Sequence, residues 1–307
     1  MAVTLSTRAR QPQSSRRRRS RSFDPWLLVL VGPGVLLLVV FVVWPLVAAL
    51  GNSFVAWDGL GPKVFVGLRN YERVLASAEA GRSVLHTLVY AAGTAVSKVV
   101  LAFALALLAH RAARGVAAFR SVLFVPVLMS FVAVGVLWSF VLDPNRGLLN
   151  GTLGALGLPA GTAWLGDPST ALGSIMAVDV WKWLGYHVIL FVAGLQAVRA
   201  DLYEAAQVDG ATRRQLFRHI TLPAMKTMVG LNFIIAVGGA LNVFDLVYVM
   251  TKGGPYGSTE TVMTYLYREA FAVQHYGPAS ALAVLLFAGV AVITVVQLRL
   301  LRSDYDN

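Results

Sequence analysis

Charged side chains set inside long apolar runs are the groups here whose types and spacing could do chemistry, because a charge in hydrocarbon persists only where it faces protein, water or a partner. Asp179 and Lys182 stand three residues apart, so on a helix they share a face and can pair with each other. The same face could instead line a path for a polar solute. Trp181, Trp183 and Tyr186 flank them with rings of the kind that stack on sugars, and equally of the kind that anchor a helix at a membrane interface. Further on, Gly238 and Gly239 leave room for either a cavity or a closely packed helix, and Asn242 adds a hydrogen-bonding amide. The candidates for a solute path are Asp179, Lys182, Trp183, Tyr186, Gly239 and Asn242. Lys98 and Asp245 are lone charges to which the sequence assigns no partner.

Covalent chemistry finds no such support. The histidines His86, His110, His187, His219 and His275 have no metal-ligand spacing, no Ser, His and acid set stands together, and the chain has no Cys. Gly151, Gly154 and Gly157 are not followed by the Gly-Lys-Ser/Thr that closes a phosphate loop, and no Walker-type ATP site occurs elsewhere. The expectation is a non-enzyme with no catalytic residue, no metal and no cofactor of its own.

A second constellation, residues 201–223, reads as mechanical. Asp201 can cap a helix whose N3 position is Glu204, followed by the small pair Ala205 and Ala206. Asp209-Gly210 supplies a turn in which glycine tolerates positive φ, and Thr212 can start a second helix. Leu216, Phe217 and Ile220 give that second helix an apolar stripe, and Leu222-Pro223 is expected to stop it. The product is a helix-turn-helix on a membrane surface, with a compact face of Ala205, Ala206 and Gly210 able to enter a groove.

The elements that must hold these groups follow from composition. Apolar types make up 57% of the 307 residues and charged types only 13%, about half the charge of an ordinary soluble domain, which points to a polytopic membrane protein. A helical crossing takes about 20 apolar residues. Six stretches qualify, near 26–50, 84–109, 119–142, 171–195, 226–250 and 279–300. With the N-terminus inside, Lys and Arg number 17 on the cytoplasmic side and 7 outside, so both termini are expected in the cytoplasm and residues 201–223 with them. Residues 1–24 form a basic cytoplasmic tail, 25–302 the membrane domain and 303–307 a short C-terminal tail. The net charge of +11 is largely that tail and the loops; no aromatic interleaving or folded basic module accompanies it, so no nucleic-acid partner is expected. The 33 uncharged residues from Pro25 to Trp57 are too many for the core of a cleaved secretory signal.

The segment Glu204-Ala205-Ala206, Gly210 and Ile220-Thr221-Leu222-Pro223 resembles the EAA loop of binding-protein-dependent ABC import permeases. Asn70-Tyr71, Phe119-Arg120-Ser121 with Pro126, Trp164-Leu165 with Asp167-Pro168, and Phe244 to Thr251 followed by Gly253-Gly254-Pro255 extend the resemblance to the carbohydrate branch, nearest the maltose-type first permease subunit. The resemblance implies an all-α type I importer fold of six transmembrane helices in the cell membrane. It implies coupling to a separate ATPase through Glu204, Ala205, Ala206, Asp209, Gly210, Phe217, Leu222 and Pro223. It implies as partners a second permease subunit in a heterodimer, two ATPase subunits that bind ATP and Mg, and an extracellular solute-binding protein. One departure is Ala224-Met225-Lys226-Thr227, where relatives commonly have a second Pro. The rivals are a self-sufficient secondary transporter, for which the chain shows neither a coupling-ion site nor an internal repeat, a membrane anchor that merely recruits a partner, and a permease for a solute other than sugar.

Overall fold

The computed structural model describes residues 25–111 and 116–303, which divide between Ala48 and Ala49 into two compact units. The tail 1–24 and residues 304–307 lie outside the described residues. Five helices are long and apolar enough to cross a membrane: α1 (Val29–Asn52), α3 (Ala78–Ala109), α7 (Ala171–Ala197), α9 (Arg213–Leu241) and α12 (Tyr276–Leu301). The sixth candidate is a pair, α4 (Phe119–Leu128) and α5 (Phe131–Val141), bent by 104°. The third span expected over 119–142 is therefore broken. Its cause is local: Pro126 sits inside α4, and Ser130 is extended and caps the restart, accepting a hydrogen bond from the Ala133 N–H at 3.2 Å.

Proline is handled differently where no break is needed. Pro223 does not stop its helix, contrary to the sequence expectation; a π-helical turn, Phe217–Thr221, widens the backbone just before it, and the Leu222 N–H bonds back to the Phe217 carbonyl. The i−4 bond that proline cannot make is thereby not required. In α1 the π turn Val39–Val43 precedes Pro45 in the same way. The fifth span also ends earlier than expected, at Leu241, and Asp245–Met250 is a separate short helix, α10.

The second unit is built on α3, whose alanines Ala91, Ala95, Ala102 and Ala106 form a buried stripe narrow enough for close helix approach. Against it pack α7, through Ile175, Val178, Val188 and Phe191, and α9, through Met225 and Ala236. Gly185 of α7 lies directly on the Leu123 carbonyl of α4, so any side chain there would collide with backbone. A third cluster joins Val74 and Ala80 to Val262, Tyr265 and Leu282.

At one end of this unit lie a small antiparallel pair, Val55–Ala56 with Val64–Phe65, and a helix, α2 (Arg69–Ala76). The Asn70 amide fastens them, donating to the Ser53 and Val55 carbonyls at 2.9 Å. The turn is set by Asp58, whose carboxyl is held below its usual range by the N–H groups of Gly61 and Leu60. Between the broken pair and α7 lies the short helix α6 (Leu148–Ala155), whose Asn150 bonds Trp164 Nε1 at 2.8 Å. At the same end α11 (Val262–Tyr267) meets α3: Thr87 Oγ1 accepts from the Val262 N–H at 2.9 Å, and Arg268 ion-pairs Glu79 at 2.6 Å and Glu260 at 3.1 Å. Burial pushes the Glu260 carboxyl above its usual range, against the pull of Arg268.

Candidate functional site: an intramembrane cavity and a surface helix pair

The remaining short helix, α8 (Ala200–Val208), begins the helix pair at the end of the bundle where α3 and α7 finish. Its N-cap is Arg199 without a side-chain hydrogen bond, so Asp201 is not the cap; it falls in the first turn and ion-pairs with Arg199. Gly210 takes φ +79°, the left-handed conformation the turn requires. Thr212 and Gln215 then close a capping box that opens α9. Glu204, Ala205, Asp209 and Gly210 are exposed and Ala206 half-buried, while Val208 presents 88% of its surface at the tip. Leu222 and Pro223 are also exposed.

Phe217 faces the other way. Its ring lies 6.3 Å from that of Phe103, which makes it an attachment of the loop to the bundle. A second attachment escaped sequence reasoning: the Tyr203 hydroxyl bonds Thr221 Oγ1 at 2.9 Å, tying α8 to the π turn of α9. Phe217 thus ties the start of α9 to α3, and the Tyr203–Thr221 bond ties the exposed helix to α9.

Five of the six solute-path candidates border a cavity of about 460 Å³ between α3, α5, α7, α9 and α10. Asp179, Trp183, Tyr186, Gly239 and Asn242 line it, joined by Lys98, Phe131, His187, Phe244 and Asp245. A Cβ at Gly238 or Gly239 would meet nothing within 4 Å, so these glycines leave open space rather than a helix contact. Trp183 stands between Phe131 at 6.1 Å and Tyr186 at 5.7 Å, forming an aromatic wall. Trp181 packs edge-on to Trp138 at 5.3 Å and is not part of that wall.

Asp179 and Lys182 do not pair. The partner of Asp179 is Lys98, at 2.6 Å across the α3–α7 interface with both side chains at most 6% exposed, which also gives Lys98 the partner that the sequence withheld. Three residues along a helix turn the chain by about 300°, leaving the two side chains roughly 60° apart and free to address different neighbours. Lys182 addresses the break. Its ammonium donates to the carbonyls of Met129 at 2.6 Å, Pro126 at 3.2 Å and Val127 at 3.4 Å, and lies 4.7 Å from the Phe131 ring centroid. Those carbonyls are the ones freed where α4 ends, so the lysine supplies the donors the bend takes away and offsets the negative end of the helix dipole. It does not line the cavity.

His187 adds a polar floor. Asn232 donates its amide to the Met228 carbonyl at 2.9 Å, which turns its oxygen toward His187 Nδ1 at 2.9 Å; that nitrogen therefore carries the proton and Nε2 is an acceptor. Asp245, exposed at the start of α10, has no hydrogen bond or ion pair among the described residues.

Residues 98–303 match the family described as binding-protein-dependent transport system inner membrane component. The chain belongs to this family. It is a multi-pass membrane permease subunit of a transporter and not an enzyme. Among similar permeases, a probable ABC transporter permease protein, YurN, of Bacillus subtilis (strain 168) is 34% identical, with 89% of this chain and 94% of that protein covered. The diacetylchitobiose uptake system permease protein NgcF of Streptomyces coelicolor is 33% identical, with 93% and 86% covered. A solved bacterial ABC transporter involved in the import of the acidic polysaccharide alginate shares the fold, with a TM-score of 0.81 at 24% identity over 91% of this permease and 96% of that chain.

Proposed function

We propose that the permease carries a saccharide inward by alternating access. It does so as one half of a heterodimer with a second permease, on two separate ATPase subunits that hold ATP and Mg, with an extracellular solute-binding protein delivering the sugar. The observation that carries this reading is the cavity, where an aromatic wall and hydroxyl-bonding acceptors stand together inside the spans. Pyranose rings stack on such walls, and their hydroxyls need such acceptors. The uptake of diacetylchitobiose named for a similar permease supports a sugar as cargo.

The exposed tip of α8 is the docking surface for the ATPase, and its Tyr203–Thr221 attachment to α9 carries closure of the motor into the cavity wall. Binding and closure are linked reciprocally, so cargo in the cavity and nucleotide on the motor favour a common state. Because the chain has no Cys, Val208→Cys introduces a unique label site. In membranes holding the whole transporter it should react with an impermeant thiol reagent only from the cytoplasmic side, and only when the ATPase is stripped away. Glu204→Lys and Gly210→Pro should abolish saccharide uptake while the permease remains inserted. Reaction from the outside, or normal uptake by both variants, would end the coupling role.

A further inference from the structure

The charge around the cavity is unbalanced in a way that bears on cargo, given the saccharide reading above. Two carboxylates and one ammonium line it among the described residues. The ammonium of Lys98 is consumed, bonded to Asp179 and buried with it. The other intramembrane cation, Lys182, stands outside the lining, its charge set against the carbonyl end of the α4 dipole at the α4–α5 break. Asp245 remains, exposed and without a counter-ion among the described residues.

The neutral groups lean the same way. His187 presents Nε2 as an acceptor once Nδ1 is given to Asn232, and Asn242 commits an N–H to the Gly238 carbonyl at 2.9 Å, leaving its oxygen free. The Lys182 ammonium already lies over one face each of Phe131 and Trp183, at 4.7 and 5.4 Å from their centroids; the remaining faces, and those of Tyr186, carry negative quadrupole density, which attracts polarised C–H groups and ammonium but not anions.

We propose that this permease's share of the cavity selects saccharides without net negative charge, neutral or amino-bearing, and turns anionic ones away. Hydroxyls can donate to the carboxylate and the acceptors, and an amino group gains a counter-ion. A uronate or sugar phosphate meets like charge in a site partly withdrawn from water, where such repulsion is only weakly screened. Fold likeness to an importer of an acidic polysaccharide does not carry over its charge preference, since charge is set by single side chains on a shared frame.

The test is equilibrium dialysis on the intact transporter, purified with its own partner permease and ATPase in nanodiscs and without the delivery protein, so that only the cavity is read. The probes are maltotriose, a glucosamine disaccharide and a mannuronate trisaccharide. Maltotriose or the amino sugar should bind at least about tenfold tighter than the uronate. Asp245→Asn should shrink that ratio by about tenfold, and Asp245→Glu should keep it. Uronate binding as tight as the others, or a ratio unmoved by Asp245→Asn, overturns the charge selection while leaving the saccharide reading intact. Binding of none of the three by the intact complex overturns the saccharide reading itself, and the charge selection with it.

Discussion

Lys98 and Asp179 cross from α3 to α7 with a 2.6 Å contact and almost no exposure, so removing either partner leaves the other's charge buried without a counter-ion. Breaking a buried pair in this way costs about 3–5 kcal/mol, whereas replacing both members by apolar groups of similar size is often close to neutral. For a chain of this length each kcal/mol moves the thermal midpoint by about 2–4 °C. Lys98→Met and Asp179→Leu should therefore each lower the midpoint of the detergent-purified permease by on the order of 10 °C. The double variant should recover most of the loss, so that its midpoint lies well above those of both single variants. Differential scanning fluorimetry on the four proteins measures it. If the two losses simply add, with the double variant the least stable, the pair is not holding the helices and the argument from burial fails.

Lys182→Met should strip the charged donor from three carbonyls at the bend, of which Pro126 keeps its bond from the Met129 N–H, and cost about 2 kcal/mol, with part of it kept in Lys182→Arg; spin labels at Phe119 and Val141 should move apart as the break straightens, and an unchanged distance would show that the lysine is incidental. Gly185→Ala should destabilise by about 1–3 kcal/mol because backbone lies against it, whereas Gly239→Ala, facing open space, should leave the thermal midpoint alone and alter saccharide binding instead; the reverse order would mean the two glycines have been misplaced. Glu260 is pushed up by burial, so the folded state holds its proton to higher pH than the unfolded state does, and stability should fall as pH rises from the ordinary carboxyl range through the raised value. Glu260→Gln should flatten that slope, and an identical pH profile in wild type and variant would contradict it.

The long apolar runs and the start of the second surface helix at Thr212 were legible because both depend on near neighbours in sequence, whereas the cap expected at Asp201 falls on Arg199. The wrong partner for Asp179 shows the limit of that kind of reading. Lys182 is three residues away and Lys98 eighty-one, yet the distant residue wins because helix packing, which no local pattern encodes, puts it opposite. The role of Pro223 was misread for a related reason: whether a proline breaks a helix depends on whether the preceding turn can widen, and Phe217–Thr221 does. Pro126, with an extended Ser130 four residues on, did produce a break, in a stretch that the apolar run alone presents as one span over 119–142. Asp245 could be seen as a lone charge but not as part of the cavity, since its position follows from α9 ending at Leu241.

The bend between α4 and α5 has a bearing on how the protein is made. Each half is about 15 Å long, half the hydrocarbon thickness, and the carbonyls at the joint are satisfied by a residue translated some fifty positions later. A ribosome stalled before residue 182 thus holds a segment that cannot yet adopt its final shape in lipid. Residues 119–141 should remain with the insertion machinery, or cross as a straight rod, until the fourth crossing arrives to fold them.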